Sequence, residues 1–119
     1  MIRIDKVPHS MQRYDTVGDW VFSTQGDLYL IVSHLYNRDY ENLVALHEMI
    51  EALLCQARGI TGDMVDTWDK DHFDHPDPGS IPQCPYFREH MFATCVERLM
   101  AAELEVNWDE YEAALEAIK

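Results

Sequence analysis

His47, Glu48 and Glu51 stand at positions i, i+1 and i+4 of the segment LVALHEMIEALLCQARG, residues 43–59. A neutral imidazole and a carboxylate one helical turn apart are both metal-ligand types. At about 100° per residue, His47 and Glu51 project about 40° apart from the edge of an apolar stripe. A charged group at that edge needs a partner, because burying it unpaired is costly. A second pair lies further along, in FREHMFATCVERLMAAEL, residues 87–104. There His90, Thr94, Glu97 and Ala101 fall on one narrow line at helical spacing. His47, Glu51 and His90 together make a two-histidine, one-carboxylate set. Such a set suits zinc with one open position, or non-haem iron with several. Glu97 reads as a fourth ligand or as an acceptor that fixes the His90 ring. Glu48 is the candidate general base, beside the ligands without being one. The cofactor expected is a divalent metal, zinc first. The same residues also read as two buried hydrogen-bonded pairs, His47–Glu51 and His90–Glu97, that tie two helices together.

A second group, Asp69, Asp71, His72, Asp74, His75 and Asp77, has ligand residue types but no fixed spacing. It reads first as a solvated acidic loop. It also lies between the two ligand-bearing helices, so one member is in reach of the main site. His9 and His34 have no identifiable partner. No GxSxG, phosphate-loop or dinucleotide fingerprint occurs.

The elements that must position these residues follow from periodicity. Leu43, Leu46, Ile50, Leu53, Leu54 and Ala57 recur at three- and four-residue spacing, which predicts a helix over about residues 37–58. Asn37 or Asp39 caps its start, and Gly59 with Ile60 predicts a left-handed C-terminal cap. Residues 20–23 and 28–32 are β-branched or aromatic runs around Thr24-Gln25-Gly26-Asp27, a hairpin signal. Ile2 to Ile4 is a short β-like start before a mostly extended polar segment. Asp63 predicts a cap for a short helix over 64–73. Residues 74–86 hold four of the five prolines and read as a functional or covering loop. Residues 87–104 are apolar over most of the circumference, which predicts a helix buried on several sides. Asn107 and Glu110 resemble a capping box before a last helix over 108–118. Leu46, Ile50, Leu53, Phe92, Val96 and Leu99 are therefore the predicted core between the two long helices.

The 119 residues are 47% apolar, enough for one domain spanning 1–119 with one modest core. The formal net charge of −13, from 22 acidic and nine basic residues, argues against direct nucleic-acid binding and against an anionic membrane surface. Cationic partners, metal ions and nucleic-acid mimicry stay open. Cys55, Cys84 and Cys95 form no CxxC pair, so free thiols in a reducing compartment are expected, with Cys55 and Cys95 buried in helices. No apolar leader opens the chain and no run is apolar enough to span a membrane. The expected location is the cytoplasm.

The segments PHSMQRYDTVGDW, LVALHEMIEALLC and PYFREHMFATCVERLMAAEL resemble a group of small uncharacterised bacteriophage and prophage proteins. That resemblance covers nearly the whole chain and implies a phage source, a bacterial host cell and a host protein as a candidate partner. Residues 20–59 are also similar to a minimal zincin core, in which a strand pair precedes the HE-bearing helix. In the zincin signature HExxH, two histidines bind zinc and the intervening glutamate is the general base; here Glu51 stands in place of the second histidine. The expected fold is α+β, helix-dominated, a small antiparallel hairpin or sheet packed against three to four helices. The expected function is a phage-type metal-binding protein, with metal-dependent hydrolysis as its chemistry. The other reading is an acidic interaction protein or nucleic-acid mimic with structural histidines.

Overall fold

The computed structural model describes residues 1–119. It contains three strands, β1 (Ile2–Val7), β2 (Gly18–Phe22) and β3 (Leu28–Ser33), and four α-helices. The helices are α1 (Arg38–Ala57), α2 (Gly62–Asp71), α3 (Phe87–Glu103) and α4 (Trp108–Ile118). The fold is α+β and helix-dominated.

The hairpin forms as its sequence predicts. β2 and β3 pair antiparallel with Trp20 opposite Leu30, and Gly26 takes a φ of +86° in the connecting turn. β1 adds a third strand, parallel to β3, so the order is β1-β3-β2 and the sheet is mixed. Leu28, Leu30 and Val32 alternate along β3 and are all buried, as a central strand under a helix requires. α1 lies across β2 and β3 and packs lengthwise on α3.

Local signals set the helix ends. The Asn37 side chain accepts from Tyr40 N at the start of α1. Gly59 has a φ of +72°, and Ile60 N donates to Cys55 O across it. The second helix starts one residue before the predicted cap: Thr61, not Asp63, accepts from Met64 N. Asn107 accepts from Glu110 N before α4.

The predicted core is wrong on its direction. Phe92 is 55% exposed, Leu99 69% and Leu53 43%, and Leu46, Ile50 and Val96 are only half-buried. The inward residues of α3 are Glu89, Ala93, Glu97 and Ala101, and those of α1 include Leu43, Val44, His47, Glu51, Ala52 and Cys55. Small and acidic residues win the interior because they let α3 approach α1 closely and put its acids on partners. Cys55 and Cys84 are buried free thiols, whereas Cys95 is exposed on the outer side of α3.

The true core has two parts. Trp20, Leu28, Leu30, Ala52, Cys55, Val65, Cys84 and Tyr86 form one. Val32, Leu43, Val44, Ala45, Ala101 and Tyr111 form the other. Along α1 the polar residues His47 and Glu51 lie between these two clusters. Leu43→Ala, at a position fully out of solvent, is expected to cost about 2–5 kcal/mol; Leu53→Ala is expected to cost less than about 1 kcal/mol. Urea unfolding of both variants checks the assignment.

Candidate metal centre

The structure brings His47, Glu51 and His90 together between the two cores. One ligand atom from each lies within 4.8 Å of the others. Nε2 of His47 is 3.1 Å from Glu51 Oε2, Nδ1 of His90 is 2.9 Å from the same oxygen, and the two ring nitrogens are 3.2 Å apart. An ion held at about 2.0–2.2 Å by three donors on one tetrahedral or octahedral face keeps those donors about 2.9–3.5 Å apart. The triangle already has that size.

Each ring is oriented from its far side. Nδ1 of His47 donates to Glu97 Oε1 at 2.7 Å, and Glu97 Oε2 accepts from the Tyr111 hydroxyl at 2.6 Å. Glu97 thus fixes the His47 ring rather than the His90 ring. Asp77 Oδ1 lies 2.9 Å from Nε2 of His90, close enough for an ion contact, although Nε2 has no aligned hydrogen-bond partner. Glu51 Oε1 accepts from the Trp20 indole at 3.1 Å. With an acid on each far nitrogen, the near nitrogens of both rings face one carboxylate oxygen. Carboxylates only accept, so three lone pairs converge there unless positive charge lies between them.

The titration of the cluster follows. Burial disfavours the charge on His47, but hydrogen bonds to Glu51 and Glu97 outweigh it and lift the ring well above its ordinary value. Burial likewise opposes charge on His90, yet Asp77 and Glu51 raise it to about 9. Burial works against ionised Glu51, and the two histidines more than reverse that, holding it below the usual carboxylate range. Glu48 is raised, by burial first and then by the Glu51 charge. Without a metal, protons occupy the place of the cation.

The cluster opens on a cleft of about 240 Å³. Glu48 lines it without joining the hydrogen bonds around His47, its side chain lying close against Gly18 of β2. Asp69, Tyr86 and Gly79 line it as well. Asp69 accepts from Tyr14 at 2.9 Å and from Tyr86; burial raises its pKa to about 6 against those bonds. Arg13 braces the rim by forked contacts to Asp19 and Asp66.

Of the acidic segment, Asp69 and Asp77 reach the cleft, while Asp71 and Asp74 are exposed. His72 stacks on Trp68 and His75 accepts from Asp77 N. His9 bonds Ser33 and Asp15, and His34 accepts from Tyr36 N, so neither belongs to the centre. Tyr111 and Trp20 carry no signal for the site in the sequence, whereas Asp77 is the member of the acidic segment that reaches the His90 ring. The one local signal was for Asp77, a carboxylate beside Pro78 in a loop joining the ligand-bearing helices.

No family model, no curated protein and no solved structure matches this chain.

Proposed function

We propose that the protein binds one divalent cation, zinc first, through His47, Glu51 and His90, and uses it for hydrolysis. The observation that supports this reading is the convergence of two imidazole nitrogens on one carboxylate oxygen, with a separate acid on each far nitrogen. Rings held in this way by outer carboxylates are what metal-binding histidines need. Glu97 serves as the outer partner of His47 and Asp77 as that of His90. A cation bound there would supply Lewis acidity at a position open to the cleft. Glu48, which lines the cleft, would take a proton from a water there, and a nearby divalent charge would lower its raised pKa toward that of a working base. The cleft carries Asp66, Asp69, Asp77, Glu112 and Glu116 against Lys119, so its field favours neutral or cationic substrates over phosphate esters.

The test is a panel of amide and ester substrates of neutral or positive charge, offered to zinc-loaded protein. Hydrolysis is expected to stop on chelation and in Glu48→Gln, while Glu48→Gln still takes up zinc. Hydrolysis that survives chelation, or a Glu48→Gln variant as active as the parent, overturns the reading.

The protonated centre predicts a pH dependence. His90 rises from 6.5 unfolded to about 9 folded, and His47 shifts the same way. Their stabilisation of the metal-free protein is therefore complete below about pH 6.5 and is lost as pH rises through about 9. Zinc competes with those protons and gains over the same window. The melting temperature of chelated protein should fall across it, and the increase caused by zinc should grow. Thermal melts with and without chelator measure both.

A further inference from the structure

Helix α3 is built inside out. It turns two glutamates and two alanines inward and leaves Phe92 55% and Leu99 69% exposed. Arg88, Phe92, Cys95, Leu99 and Ala102 follow one another at intervals of four, three, four and three. That is the spacing of a helix-pairing seam, and all five are exposed. Met100 of α3 and Leu53 of α1 are also 44% and 43% exposed.

We infer that this seam joins two copies of the chain, with α3 packed antiparallel on α3 of the second copy about a two-fold axis near Cys95. The charges argue for a second copy. Arg88 stands at one end of the stripe and Glu103 at the other; both are exposed, and neither is among the ion pairs of the subunit. The two residues lie equally far from the midpoint between Cys95 and Val96, as do Phe92 and Leu99. A two-fold axis at that midpoint therefore sets Arg88 against Glu103 of the other copy, and Phe92 against its Leu99. A surface with opposite charges at its ends and an apolar middle is its own complement. Antiparallel α3 helices also oppose their dipoles favourably. The chain as a whole carries a net charge of −13 and repels its copies, whereas the exposed charges of α3 are Arg88, Arg98 and Glu103.

Light scattering on the eluting protein across the micromolar range tests this. The expected mass is twice the 13.9 kDa of the chain, and Leu99→Glu should return it to 13.9 kDa with unchanged far-ultraviolet circular dichroism. Diamide should oxidise two Cys95 thiols to one intermolecular disulfide, itself taking up the two electrons and two protons. Cys95→Ser should abolish that cross-link, since Cys55 and Cys84 are buried. If Leu99→Glu misfolds, the Cys95 cross-link decides alone. A parent protein that stays monomeric throughout overturns the proposal and leaves the face to a different partner. A dimer that survives Leu99→Glu and is not trapped through Cys95 overturns it as well.

Discussion

Glu51→Gln is expected to abolish divalent-cation binding, a loss of more than about a hundredfold in affinity, with the fold intact. Outer partners of metal ligands are worth about 10–100-fold, and Glu51 is more central than those. Its Oε2 is the one atom that faces both His47 Nε2 and His90 Nδ1. Glutamine has the same shape, so its amide oxygen can still accept from the Trp20 indole that now bonds Oε1. The negative charge between the rings is lost. A readout without metal separates this account from simple misfolding. Glu51 helps lift His90 to about 9, so the His90 pKa, followed by NMR of its ring protons, should fall in the variant. A variant that keeps full zinc affinity would remove Glu51 from the centre.

Gly79→Ala is expected to weaken metal binding by about 10–100-fold through steric displacement of His90. Gly79 is buried in the tight turn Pro78–Ser80. A Cβ there would stand 2.5 Å from Cγ of His90 and 2.7 Å from its Nδ1. No real Cβ tolerates such a contact with a ring, so ring or turn must shift, and Nδ1 is the atom that faces Glu51. Gly62→Ala is the matched control, because its Cβ would meet only Trp20, at 4.0 Å. Zinc calorimetry should show a weakened Gly79→Ala and an unchanged Gly62→Ala. Equal affinities in the two would mean that His90 is not a ligand.

Much of this arrangement was legible from local chemistry. Asn37, Gly59 and Asn107 mark helix ends by capping groups that act within a few residues. Gly26 marks the hairpin turn for the same reason. The His90–Glu97 line was legible as the polar stripe of α3, and it does face α1. What failed depends on distant partners. β1 pairs parallel with β3, and IRIDKV does not announce a partner more than 20 residues away. The direction of α3 was misread because a helix with apolar residues around most of its circumference has no single obvious inward side. Its glutamates go inward only because His47 and Arg58 wait there, Glu89 meeting Arg58 at 2.6 Å. Asp77 at His90 and Tyr111 at Glu97 are contacts between elements, set by packing and not by spacing. No helix is long and apolar enough to cross a membrane.

The central claim is that His47, Glu51 and His90 hold one divalent cation, and cobalt(II) titration of chelator-stripped protein tests it most directly. At about pH 8, visible absorption should saturate at one cobalt per chain, with proton release from the two histidines. The bands should have the strength of a four- or five-coordinate ion, be displaced by zinc, and be absent in Glu51→Gln. No saturable uptake, or the same spectrum in Glu51→Gln as in the parent, would contradict the account.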